Sequence, residues 1–367
     1  MNHFRVRIPI EAERAVAKSA GPHELLKNET GTEIPREEFL ETSEPAVRKR
    51  KRWGVILAGG DGTRLRRLTR LICGDERPKQ FCPLVGTDTL LEQTRLRAER
   101  SIPAEQLVVA LSRSHRPFYI AEHGIRSAQR VIQPSNKGTA PAILYSLLSI
   151  ERNDDDAIVA ILPADHHYAE ELTFHSALES AFDVATQRTG SVVLLGAPPD
   201  GPEVEYGWIE LGSSLAIAEG SAFHVCGFFE KPSIDVAKEM LRRGSLWNTF
   251  VMVGHVRAFL EMLAGALPDL VDLFRSSRTW TGAELHISDS FYECIDPVDF
   301  SRKVLSLELS RLAALRLPSK GWSDLGHPER VIAALRAAGL EPRWVSLWQT
   351  QSSSEVVVDP LGRAVYA

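Results

Sequence analysis

Residues 55–58 form a short apolar run, and Gly59, Gly60 and Gly62 follow it at once. The run is long enough for one buried strand. A strand that ends in glycines commits the chain to a sharp turn, because glycine takes left-handed backbone at no steric cost. The turn also exposes a row of N–H groups, and such a row near a helix N-terminus suits a phosphate. Arg64 and Lys79 can add fixed positive charge. The stretch predicts a triphosphate cradle. A dinucleotide fingerprint would need a third glycine where Leu65 stands, and a P-loop would need Lys then Ser or Thr where Thr63 and Arg64 stand. Both motifs fail on direct reading. A glycine turn without a ligand is the alternative that the glycines alone leave open.

The pattern after Trp53 predicts what surrounds that turn. Residues 107–111, 157–162 and 191–196 are continuous apolar runs, as in strands covered on both faces. Between them, 140–150 and 174–188 have helical spacing, with Thr139 as an expected N-cap. Alternation of this kind predicts an α/β fold with a mostly parallel central sheet. Ligands in such sheets sit beyond the carboxyl ends of the strands. From 206 to about 287 the pattern is mixed, with strands expected at 207–211 and 223–229 and helices at 236–243 and 256–266. A helix is expected at 328–338, and short strands from Trp344 onward.

Three divisions follow. Residues 1–52 are charged, carry scattered prolines and end in a basic run, which reads as a partly disordered extension with a short helix near 11–18. Residues 53–340 read as the catalytic domain and 341–367 as a short C-terminal extension. A formal net charge of -5 gives no basic field for nucleic acid. Cys73, Cys82, Cys226 and Cys294 show no metal or disulfide spacing and read as reduced thiols. No apolar run spans a bilayer and no signal-peptide core opens the chain, so a cytoplasmic location without membrane contact is expected.

Single residues suggest the chemistry. Asp165 stands at the end of the 157–162 run, where a carboxylate could hold Mg²⁺ against phosphate oxygens. A zinc site of Asp165, His166 and His167 is the rival, but adjacent histidines on extended chain point opposite ways; a capping aspartate is the plain alternative. Asp324 follows a glycine turn, and a turn role is its alternative. Glu230 and Lys231 pair an acceptor with a cation, suited to sugar hydroxyls and phosphate, or to a surface ion pair. Asn248, beside Trp247, could bond a hydroxyl, with a turn role as its alternative. No Ser/His/Asp constellation is evident. That fits a phosphate nucleophile, which is already anionic and needs positioning and charge neutralisation rather than a general base.

Together these stretches resemble the sugar-1-phosphate nucleotidyltransferases, most closely the mannose-1-phosphate guanylyltransferases. The resemblance is carried by LAGGDGTRL at 57–65, PKQF at 78–81, QPSNKGTAPA at 133–142, LPADH at 162–166, YGWIE at 206–210, FEKP at 229–232, WN at 247–248 and WSDLG at 322–326. It implies a Rossmann-like (GT-A-like) nucleotidyltransferase fold and nucleotide contacts from Leu57, Gly59, Gly60, Gly62, Asn136, Gly138 and Thr139. Arg64 and Lys79 would act on the transferring phosphates. Asp165 and Asp324 would hold Mg²⁺, and Gly207, Glu230, Lys231 and Asn248 would bind the sugar phosphate. The implied substrates are a nucleoside triphosphate, GTP, and a sugar 1-phosphate, mannose 1-phosphate, giving GDP-mannose and pyrophosphate. A homodimer is compatible with this reading. Another NDP-sugar pyrophosphorylase, or a non-catalytic nucleotide-sugar sensor, remains the alternative. The chain departs from the family at four places, one being the segment from Leu71 to Arg77 before Pro78, which is longer than usual. Arg66 and Arg67 replace Trp-Pro, Lys137 and Gly138 replace Arg-Asn, and Thr249 and Phe250 replace Ser-Gly after the Trp-Asn pair.

Overall fold

The computed structural model describes residues 52–354, without 123, 126–129, 216–221, 282–283 and 319, together with 356–358 and 364–366. The expected N-terminal extension and its helix lie outside the described residues, apart from Arg52. The strands are β1 (Arg52–Leu57), β2 (Leu107–Ser112), β3 (Arg130–Gln133), β4 (Ile158–Pro163), β5 (His167–Tyr168), β6 (Val192–Ala197), β7 (Gly207–Leu215), β8 (Ala222–Glu230), β9 (Leu246–His255), β10 (Arg278–Thr281), β11 (Glu284–Ile287), β12 (Leu312–Arg316) and β13 (Trp322–Ser323). Nine of them make the central sheet, in the order β3-β2-β1-β4-β9-β6-β12-β8-β7. Seven run one way; β8 and β9 run the other. The fold is the expected α/β arrangement with a mostly parallel sheet.

The apolar runs explain the layers. Side chains alternate along a strand, so β4 feeds both faces. Ala160 and Leu162 join Phe174, Leu178 and Phe182 of the helix Glu171–Gln187. Val159 and Ile161 join Ile143, Leu144 and Leu147 of the helix Thr139–Asn153. Each such Leu, Ile or Phe contributes about 1.5–3 kcal/mol by leaving water. Thr139 is not the N-cap of its helix. Gly138 holds that position without a side-chain cap, and Thr139 Oγ1 instead accepts the N–H of Phe300 at 2.8 Å. The first turn is satisfied by a distant segment, since Ala140 donates to the Val298 carbonyl at 3.1 Å.

A third cluster joins Leu65, Leu68, Leu84 and Leu325 to the helix Pro328–Ala337. Trp344, Val345 and Trp348 pack on it from the helix Arg343–Ser354. Strands were expected from Trp344 onward. The helix forms because those three residues share one helical face, and only after it come the short strands Val356–Val358 and Ala364–Tyr366. The described cysteines are all unbridged. No helix among the described residues is long and apolar enough to cross a membrane.

One feature of the sheet creates the cleft. β9 pairs with β6 along one edge. On its other edge Met252 to His255 pair with β4, whereas Leu246 and Trp247 pair with β7. The start of β7 therefore takes over the edge just beyond the end of β4. The carboxyl ends of β1 and β4, the start of β7 and the bend in β9 meet at that handover.

Candidate functional site

A cleft of about 380 Å³ opens at this junction. Leu57, Gly59 and Gly60 line it from the end of β1. No atom lies within 4 Å of a Cβ built on Gly60, so the open space beside its backbone is the cleft itself. Gly62 has φ 56°, and a Cβ there would lie 2.9 Å from the Lys79 nitrogen. Only glycine lets the segment with Pro78 and Lys79 press so close. Gln80, which is buried, then clamps the loop: its Nε2 donates to the carbonyls of Ala58 at 2.9 Å and Gly60 at 2.8 Å.

The next wall is tied to the first. Asn136 Nδ2 donates to Asp61 Oδ2 at 2.9 Å, and the Gly138 N–H donates to Asn136 Oδ1 at 3.0 Å. Gly138 has φ 85°, and a Cβ would fall on the Val298 carbonyl. That contact brings the segment of Asp299 and Ser301 into the lining beside Asn136, Gly138 and Thr139.

Asp165 follows β4 and faces the cleft, as does Asp324 after β13. Lys79 links them. Its Nζ lies 3.3 Å from Asp165 Oδ2 and also donates to the backbone carbonyl of Asp324. Asp324 Oδ1 accepts from Arg330 Nη1 at 2.7 Å, the Gly326 N–H at 2.9 Å and the Tyr206 hydroxyl at 3.1 Å. Burial would raise the Asp324 carboxyl, but the charges of Lys79, His166 and Arg330 outweigh it and hold it below its ordinary value. Tyr206, Trp247 and Trp322 cluster beside it with ring centroids 4.9 to 6.4 Å apart, Tyr206 edge-on to Trp247 and both tilted against Trp322. Two carboxylates on one cleft, beside a low-dielectric aromatic wall, are a donor set that fits a hard divalent cation keeping most of its water. The zinc alternative fails on geometry. His166 lines the cleft and His167 does not, and no group of three or more His, Cys, Asp or Glu among the described residues is placed for a metal.

Gly207, Glu230 and Asn248 form the far end. A Cβ on Gly207 would lie 2.7 Å from Glu230 Oε2 and 3.3 Å from the Asn248 Cβ. Burial first, then the negative charge of Asp299, pushes Glu230 up to about 7. Lys231 does not join this group. It is exposed, outside the lining, and its backbone N–H donates to the Tyr206 carbonyl at 3.2 Å. Gly62, Arg64 and Lys79 line a separate cavity of about 210 Å³ with Thr63, Leu65 and Gly326. Arg64 Nη1 lies 3.4 Å from Glu205 Oε2, and Glu205 also faces the main cleft.

Backbone strain marks the same place. Among the described residues the non-glycine positions with left-handed backbone are Lys231, Phe250 and Leu325. They follow Glu230, Asn248 and Asp324 by one or two positions. Strain of this kind, of order 1–3 kcal/mol each, persists where the surroundings over-determine it, and it gathers at functional sites. Sequence reasoning did not assign Gln80, Tyr206, Asp299 or Ser301 to the site, and it marked Phe250 only as a departure from the family. Tyr206 stood beside a motif glycine and Gln80 beside Lys79, which was a usable signal. Asp299 and Ser301 reach the cleft only through the distant contact of Val298 with Gly138.

Comparison with known proteins bears on these residues as a set. A family model described as "Nucleotidyl transferase" matches residues 53–339. The chain is 30% identical over 313 residues to the mannose-1-phosphate guanylyltransferase of Escherichia coli K12, covering 82% of this chain and 59% of that protein. It is 31% identical over 284 residues to the xanthan biosynthesis protein XanB of Xanthomonas campestris pv. campestris (strain B100), covering 74% of this chain and 57% of that one. The chain thus spans under two thirds of the length of these curated relatives. Among solved structures, a protein described as "mannose-1-phosphate geranyltransferase" from Thermus thermophilus superimposes with a TM-score of 0.65 at 28% identity, over 77% of this chain and 79% of that one.

Proposed function

This chain belongs to the nucleotidyl transferase family, and from that premise we propose that it moves a nucleotidyl group from a nucleoside triphosphate to a sugar 1-phosphate. The observation that carries the reading is the single cleft in which the glycine loop, Asp165 and Asp324, and the group of Gly207, Glu230 and Asn248 share one lining. The donor is GTP and the acceptor mannose 1-phosphate, in keeping with the names of the relatives. A phosphate oxygen of the sugar phosphate attacks the α-phosphorus in line, the bond to the β-phosphate oxygen breaks, and pyrophosphate leaves.

Each part of the chain has one task. The backbone of Gly60 lies open for the phosphates, with Gly59 beside it in the lining, and Asn136, Gly138 and Thr139 face the base. Lys79, fixed between Asp165 and the Asp324 carbonyl, neutralises charge on the transferring phosphate. Arg64, on the smaller cavity, offers its guanidinium to the leaving pyrophosphate. Glu230 and Asn248 accept and donate hydrogen bonds to sugar hydroxyls. Members of this family generally use a divalent metal. Here Asp165 and Asp324 would hold Mg²⁺, which supplies charge neutralisation on the phosphates. Catalysis on this reading is positioning and electrostatics, without a general base.

The test is a panel of nucleoside triphosphates against sugar 1-phosphates, read by pyrophosphate release. Fastest release with GTP and mannose 1-phosphate is expected. Release with another pair would correct the base or sugar. No release with any pair, alongside tight binding of a nucleotide sugar, would replace the enzyme by a sensor.

A further inference from the structure

The bend in β9 needs a left-handed residue, and glycine would supply it at no cost. Phe250 stands there instead, with φ 60°. Its Cβ crowds the following carbonyl in that region, which makes the position a genuine outlier for a bulky side chain. The bend is held from both sides. Asn248 Oδ1 accepts the Phe250 N–H at 3.0 Å, and Thr249 Oγ1 donates to the Leu195 carbonyl at 2.6 Å. Those bonds account for the backbone. The ring packs partly against the core cluster of Val159 and Ile161 and leaves the rest of its surface to the cleft.

The other two strained residues differ from it. Lys231 is exposed, and Leu325 is buried in the third core cluster. Phe250 is half-buried and lines the cleft. Its ring sits edge-on to Phe300, with centroids 6.4 Å apart at 72°. The same lining holds the polar Asn248, Glu230, Asp299 and Ser301. A fixed apolar plane that shares a lining with hydrogen-bonding groups matches a pyranose, which carries hydroxyls at its rim and C–H bonds on its faces. A few polar groups set in an apolar wall also give orientation as well as affinity.

We propose that Phe250 determines sugar specificity: its ring is the wall against which one C–H face of the pyranosyl 1-phosphate packs, and it limits the substituents that face can carry. The inference rests on the nucleotidyl transfer reading and names a residue that acts in it.

The full chain and its Phe250→Gly and Phe250→Leu variants serve as the test. Binding of mannose 1-phosphate, glucose 1-phosphate and N-acetylglucosamine 1-phosphate is measured by calorimetry, and kcat and KM by pyrophosphate release. Phe250→Gly is expected to weaken hexose 1-phosphate binding about tenfold, equivalent to about 1.4 kcal/mol. Its kcat and its KM for the triphosphate should stay within about twofold, and its preference against the N-acetylated sugar should shrink. Phe250→Leu keeps some apolar volume and should fall between. It also answers the question alone if the glycine variant does not fold. Unchanged sugar-phosphate affinity in the variants, or a loss shared equally with the triphosphate, overturns the proposal. If the wild type releases no pyrophosphate, the reaction reading falls while the calorimetry still decides on Phe250. A wild type that binds none of the three sugar phosphates overturns both.

Discussion

Gln80 offers the sharpest test of how the glycine loop is held. Its side chain is 1% exposed, and its amide donates to two backbone carbonyls, those of Ala58 and Gly60. Gln80→Leu keeps the bulk and removes both bonds. Two neutral hydrogen bonds at about 1 kcal/mol each, plus the cost of a buried carbonyl left unpaired, make the expected loss about 2–4 kcal/mol. Gln80→Glu should be worse at neutral pH, because a carboxylate would face two carbonyl oxygens. The new carboxyl would therefore titrate above its ordinary value in the folded state. With the folded value raised, the protein holds an extra proton at low pH, and stability is lost as pH rises through that window. The glutamate variant should thus approach the leucine variant near pH 5 and fall below it near about pH 8. Denaturant unfolding at both pH values reads this order, and the KM for the triphosphate should rise as the loop loosens. Equal stability of the two variants at high pH, or no loss in either, would refute the clamp.

Three further outcomes follow from the site. Lys79→Ala should lower kcat by on the order of 100-fold or more while triphosphate binding changes far less; unchanged turnover would remove Lys79 from the mechanism. Asp165→Asn and Asp324→Asn should each raise the Mg²⁺ concentration needed for half-maximal turnover, and the double variant should be little worse than the worse single one. Fully additive losses would sink the shared cation. Asp324→Asn should also cost more stability, because Asp324 alone bonds Arg330 and Tyr206. Glu230 is pushed up to about 7 from an ordinary 4.5 by burial, and then by the negative charge of Asp299, against the opposing charges of Lys231 and Arg302. Its folded value is raised, so its contribution falls as pH rises from about 4.5 through 7, by on the order of 3 kcal/mol at most, and Glu230→Gln should abolish that slope. A wild-type stability profile unchanged by the substitution would show that the group is solvated.

The strands of the parallel half were legible because each is a local signal. The all-buried runs of β2, β4 and β6 need only their own residues to be recognised. The glycine loop was legible for the same reason, since its three glycines follow β1 directly. What the sequence hid was non-local. Thr139 looks like a cap, yet its hydroxyl serves Phe300, which lies 161 positions further on. The handover of β9 between β7 and β4 has no local marker, because either pairing suits the same apolar run. That handover forces the bend at Phe250, and the bend sets an aromatic ring beside Asn248 in the cleft. A glycine there would have announced the turn; a phenylalanine concealed it. Strained backbone also recurs just after Glu230 and just after Asp324, carried by Lys231 and Leu325, which are equally silent in sequence. Local rules therefore fail at the places where long-range pairing bends the chain around the cleft. A failure of local preference just after three residues that line one cleft, Glu230, Asn248 and Asp324, is what a site built by tertiary contacts should leave behind.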